Sequence, residues 1–175
     1  MSLYSFYIFD RHTECIYSKR WTSPPTTTPI PTEPNKPSSQ GLPPSAAATA
    51  KLASKNQDVQ KLIFGTIFSL RRMARQLGGP SDQFLSYRTG EYKLHYFETP
   101  TQLKLVLLTD TRVGNMRTVL HQIWATLYVE YVVKSPLAPV EHKGGVGVGN
   151  ELFEGGLESF MVSLSCELLW FGESC

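Results

Sequence analysis

Leu3-Tyr4-Ser5-Phe6-Tyr7-Ile8-Phe9-Asp10 is the stretch on which the fold turns. Leu3, Ser5, Tyr7 and Phe9 alternate with Tyr4, Phe6, Ile8 and Asp10, and both sets are mostly apolar. A strand with two apolar faces is covered on both, so it belongs inside a sheet. A turn at Asp10-Arg11-His12-Thr13 leads into Cys15-Ile16-Tyr17 and a second strand that ends near Trp21. The N-terminal segment is therefore a β-hairpin.

The composition then changes. Thr22 to Ala53 holds eight of the twelve prolines, with Ser, Thr and Ala filling much of the rest. Such a segment buries too little apolar surface to offset the entropy of ordering it, and reads as a disordered insertion. Order returns at Ser54-Lys55-Asn56-Gln57, which fits a capping box. The spacing predicts a helix to Leu77, stopped by Gly78-Gly79-Pro80. Val59, Leu62, Ile63, Thr66, Ile67, Leu70, Met73, Ala74 and Leu77 make one broad core stripe. Phe64 and Phe68 fall outside it, beside Arg71 and Arg75.

Three strands follow: Phe84–Arg88, Tyr92–Glu98 and Leu103–Leu108. Their short turns, Thr89-Gly90-Glu91 and Thr99-Pro100-Thr101, make them an antiparallel meander. A second helix starts near Asp110 or Asn115 and ends at Lys134-Ser135-Pro136, with Met116, Val119, Leu120, Ile123, Leu127 and Tyr131 as its main stripe. Asn150 caps a final helix that carries Leu152, Phe153, Leu157, Phe160, Met161 and Leu164, and is weakened by Gly155-Gly156. The order β-β-α-β-β-β-α-α predicts an α/β (α+β) fold. It is a five-stranded antiparallel sheet with the first strand central and helices on both faces, the longin or profilin-like layer. The expected organisation is one domain over residues 1–164, interrupted by the 22–53 insertion, with no assigned structure for 165–175.

At 175 residues the chain holds one domain with a real core. A formal net charge of only +2 argues against nucleic acid. Cys15, Cys166 and Cys175 fall in no metal or redox spacing, and a sparse odd count suits a reducing compartment. Asp10 and Arg11 interrupt the apolar N-terminus too early for a signal peptide, and no stretch approaches a membrane span.

Catalytic, cofactor and metal residues are all expected to be none. There is no G-x-S-x-G, and Cys15 lies mid-strand in an apolar run, the setting of a structural thiol. His12, His95, His121 and His142 show no zinc spacing. Gly145-Val146-Gly147-Val148-Gly149 lacks the third glycine of a dinucleotide loop, a feeding strand, and the Lys-Ser/Thr of a phosphate loop. Glu130 has Lys134 four residues on, the favoured order for a helical ion pair. What remains is surface. Phe64, Phe68, Arg71 and Arg75 form a candidate aromatic–arginine interface, the residue types enriched at interface cores.

Three stretches carry a family resemblance: Ser5–Arg11, Tyr92–Thr101 and Tyr128–Leu137, with Phe64–Arg71 in support. They resemble the sybindin-like small subunits of the TRAPP complex, in a fungal-looking form with an insertion. The resemblance implies a longin fold without enzymatic machinery of its own. It implies a scaffold role in a vesicle-tethering complex that is a guanine-nucleotide exchange factor for a Rab-family GTPase in ER-to-Golgi and Golgi traffic. Implied partners are other core subunits, including a second longin subunit, and the GTPase through the assembly. The implied place is cytoplasmic, peripheral at cis-Golgi and ER–Golgi membranes. His12-Thr13-Glu14 departs from the family's tight Asn-Gly-like turn, and the ending Cys166–Phe171 also differs. The rival readings are an adaptor small chain and a profilin-like ligand sensor; the second needs a polar-lined pocket.

Overall fold

The computed structural model describes residues 2–22, 46–136, 139, 141–146 and 148–170. Most of the proline-rich segment, residues 23–45, and the last residues, 171–175, lie outside these. Five strands, β1 (Leu3–Phe9), β2 (Cys15–Arg20), β3 (Ser86–Arg88), β4 (Lys93–Glu98) and β5 (Lys104–Thr109), form one antiparallel sheet in the order β2-β1-β5-β4-β3. With three helices they make an α+β fold consistent with the longin-like reading. β1 is paired on both sides and Tyr4–Phe9 are all buried, as its two apolar faces require. The middle place itself goes to β5, every residue of which is buried.

The register fixes one face. Ile8 stands opposite Tyr17 and Leu105, Phe6 opposite Leu107, and Phe97 opposite Leu105, so these side chains project together. Onto them packs a helical layer. α2 (Arg117–Gln122) starts where Asn115 Oδ1 accepts the Arg117 N–H at 3.0 Å. It runs on as a π-helical segment, Ile123–Val133, where the Lys134 N–H reaches back five residues to Val129 O at 3.0 Å. A short 3₁₀ turn, Lys143–Gly145, precedes α3 (Glu151–Trp170). Leu120, Ile123, Tyr128, Val132, Phe153, Leu157 and Met161 fill the layer against the sheet. Truncating a fully buried one of these to alanine costs ~2–5 kcal/mol.

The π register explains one difference from the sequence pattern. With a wider turn, burial falls on Ile123, Tyr128 and Val132, spaced five and four residues apart, while Leu127 and Tyr131 are only half-buried. A 3.6-residue period puts Leu127 and Tyr131 in the stripe instead.

α1 (Ala46–Gly78) and the turn after it belong to a second compact unit, which ends at Gln83. The helix begins eight residues before Ser54, so Ser54 lies inside it and not at its start, and residues 46–53 are helical rather than part of a disordered insertion. The reason is composition. After Pro44 the chain is proline-free and alanine-rich, Ala46-Ala47-Ala48 leading, and alanine has the highest helix propensity. The stop is as expected: Gly79 takes φ +97°, and its N–H bonds Arg75 O at 3.0 Å. α3 likewise extends through Ser165 to Trp170, a stretch to which residue patterning assigns no element.

Candidate interaction surface

Among the described residues, Cys15 and the four histidines each have a defined local setting. Cys15 is half-buried and its thiol donates to Tyr17 O at 3.3 Å. Burial pushes its pKa up to about 11, so it is a thiol at neutral pH and a poor nucleophile. His95 is buried on β4 with Nε2 3.0 Å from Thr109 Oγ1. The Thr109 hydroxyl donates to Asp110 O at 3.1 Å, so it accepts from His95, and the proton is on Nε2. Nδ1 is left buried without a partner. Burial first, and Lys93 second, push this imidazole down to about 4.

The other histidines are dispersed. His12 Nε2 accepts from Arg11 Nε at 3.1 Å. His121 meets Phe97 and Trp124 at 5.5 and 5.6 Å, tilted steeply to each. His142 Nδ1 lies 2.9 Å from Val146 O, to which it donates. Among the described residues no three His, Cys, Asp or Glu side chains gather to hold a metal ion. Glu130 pairs with Lys134 at 2.6 Å on an exposed flank, the helical ion pair its spacing predicts.

The glycine run has a structural task. Gly145 takes φ +81° and lies so close to Ile16 O that a Cβ there would collide with the β2 backbone. Next to it Val148 is fully buried in the core. The loop thereby covers the outer strand β2. The hairpin turn that lacks a glycine is solved by Thr13, which adopts φ 76°, while Asp10 Oδ1 accepts the Glu14 N–H at 2.8 Å.

The predicted interface residues all lie on α1. Phe64 and Phe68, one turn apart, stack with centroids 6.4 Å apart and planes 26° from parallel. Arg71 and Arg75 continue the row at three- and four-residue steps. Phe68 is 52 % exposed and Arg75 is exposed. The helix holds more than this patch. Leu62, Met73 and Leu77, assigned by periodicity to the core stripe, are 71 %, 53 % and 84 % exposed. Periodicity measures how far apolar residues extend around a helix, not which part of that arc is covered. The sequence signal for them was the breadth of the arc, wider than one core face needs. Among the described residues no helix is long and apolar enough to cross a membrane.

A model of the Sybindin-like family matches residues 3–164. The chain is 39 % identical over 170 residues to transport protein particle subunit bet5 of Schizosaccharomyces pombe, covering 95 % of this chain and 99 % of that protein. It is 36 % identical over 166 residues to trafficking protein particle complex subunit 1 of Rattus norvegicus, with 94 % of each covered. It is 30 % identical over 175 residues to trafficking protein particle complex subunit BET5 of Saccharomyces cerevisiae, covering 94 % of this chain and 98 % of that protein.

Proposed function

The chain belongs to the Sybindin-like family, and from that premise we propose that it is a non-catalytic core scaffold subunit of the TRAPP vesicle-tethering particle. In that role it contributes to the surface on which a Rab-family GTPase exchanges its nucleotide in ER-to-Golgi and Golgi transport. Such exchange is binding chemistry: an assembly that prefers the nucleotide-free GTPase shifts the population toward it and so speeds release. The protein works in the cytoplasm, peripheral to membranes, beside other core subunits that include a second longin-type chain. The observation that carries this reading is full-length similarity to relatives each named as a subunit of a transport or trafficking protein particle. The Phe64/Phe68 stack, of which Phe68 is exposed and Phe64 half-buried, with half-buried Arg71 and exposed Arg75 continuing the row, is of the residue types a subunit contact uses.

The test is co-expression with the other core subunits, followed by size-exclusion chromatography with mass detection. Wild type is expected to co-elute, and a folded Phe64→Glu/Phe68→Glu variant is expected to fail. Co-elution of both keeps the scaffold role and moves the contact off this patch. A wild-type chain that stays monomeric with every candidate subunit contradicts the scaffold role.

A further inference from the structure

α3 turns one face to the core and leaves the opposite one open. Phe153, Leu157 and Met161 are buried, while Leu152 and Val162 are 69 % and 64 % exposed. At helical spacing Val162, Gly155, Ser159 and Leu152 share an outward arc about 80° wide and ~15 Å long, opposite those three buried residues. All four are exposed. The two apolar side chains bracket a shallow middle, because Ser159 is small and a Cβ on Gly155 would meet nothing within 4 Å. Beside the arc the Ser163 hydroxyl is already bonded to Ser159 O at 3.0 Å, so covering it strands no donor.

The charge on this face has one sign and one side. Past Val162, within the next ~80° of arc, come Glu151, Glu158 and Glu154. Past Leu152 come Gly156 and Phe160, both uncharged, and Gly156 abuts Leu127 and Tyr131 of the π-helical segment. No Lys, Arg or His follows Lys143 in the chain. Lys19 reaches Glu158 from β2 at 2.6 Å, whereas Glu151 and Glu154 enter no ion pair among the described residues. The helix dipole favours acids in a first turn, which suits Glu151 and Glu154. It does not require apolar side chains left open to water beside them.

That combination selects the occupant. A helix that lies on a membrane carries Lys and Arg beside its apolar face, and anionic lipid repels this one. A second α3 repels it as well, since both bear the same charge. The complement is an amphipathic helix with apolar anchors at i, i+3, i+4 and i+7 and cations along one flank.

We propose that the outer face of α3 seats a basic amphipathic helix of another protein, with Leu152 and Val162 against its apolar anchors and Glu151, Glu154 and Glu158 facing its Lys and Arg. The inference does not rest on the Phe64/Phe68 contact or on the scaffold role.

The full chain is titrated into a fluorescent helical peptide that carries Leu at i, i+3, i+4 and i+7 and Lys along one flank, and anisotropy is read. Two further peptides have Glu in place of Lys, or the Leu positions scrambled. The first peptide is expected to bind at least about tenfold tighter than either, and more loosely as salt rises. Leu152→Ser/Val162→Ser and Glu151→Gln/Glu154→Gln are each expected to weaken it severalfold, with a circular-dichroism melt that matches wild type as the check on folding. A readout on the wild-type chain needs no variant: a zero-length carbodiimide should couple a peptide amine to Glu151 or Glu154, as mapped by mass spectrometry. Equal binding of the scrambled peptide overturns the proposal, because charge alone then accounts for it. So does coupling that avoids both carboxylates. Binding of the chain through this face to phosphatidylserine vesicles, or its pairing through this face with a second copy, overturns it too. None of these outcomes touches the scaffold role, which co-elution tests separately.

Discussion

Asn150 donates its Nδ2 to the Tyr131 carbonyl at 2.9 Å while its Oδ1 accepts the Phe153 N–H at 2.7 Å. One side chain thus caps α3 and ties it to the end of the π-helical segment, where carbonyls lack partners within the helix. The join holds the helical layer in place over the sheet. Asn150→Ala removes both bonds and should cost about 2–3 kcal/mol in urea unfolding. Asn150→Ser keeps an acceptor for the cap and should cost about 1 kcal/mol. Equal losses in the two variants would mean that the cap on Phe153 contributes nothing and the whole cost lies in the Tyr131 bond.

Two glycines should respond in opposite directions. Gly145→Ala forces a side chain into the left-handed region and against the β2 backbone, so it should destabilise by about 2 kcal/mol or more. Gly155→Ala places a methyl in open space on α3 and should stabilise by up to ~1 kcal/mol through helix propensity. Thermal melts of the two variants, run beside wild type, settle both signs.

Thr13 carries a cost in the first hairpin. A threonine at φ 76° stands where a glycine relieves the clash of Cβ with the backbone. Thr13→Gly should raise stability by roughly 0.5–1 kcal/mol, after the loss from a more flexible unfolded chain. A lower melting temperature in that variant would show that the Thr13 side chain makes a contact worth more than the strain.

His95 predicts acid sensitivity. Its folded pKa of about 4 lies below the ordinary histidine value, so between the two the unfolded chain binds more protons. Its contribution is therefore fully present above about pH 6.5 and is lost as pH falls toward 4, by at most roughly 3 kcal/mol. His95→Gln, which can still donate to Thr109, should flatten the slope of stability against pH in that window. An unchanged slope would assign it to other groups.

Much of this architecture is legible in the sequence because local signals and burial agree. The doubly apolar β1, the meander, the Gly79 stop and the Asn150 cap each follow from one dominant constraint. The differences arise where two constraints compete. Ser54 has the chemistry of a cap, yet the alanine run before it extends the helix and overrides it. Tyr128 and Val132 are buried in place of Leu127 and Tyr131 because the backbone takes a π register that residue periodicity does not encode. On α1 the Phe64/Phe68 pair is identifiable from its spacing, whereas the exposure of Leu62, Met73 and Leu77 depends on which arc of the helix is left open. That property belongs to the folded molecule and not to the local sequence.

Nucleotide release tests most directly the proposed role of the chain, which is to act only as part of an exchange assembly. A Rab-family GTPase loaded with fluorescent GDP is mixed with the chain alone, with the complete core particle, and with core subunits lacking the chain. Release should accelerate only with the complete particle, and should fall toward the intrinsic rate when the chain is omitted. Full acceleration by the subunits without it, or by the chain alone, would contradict the account.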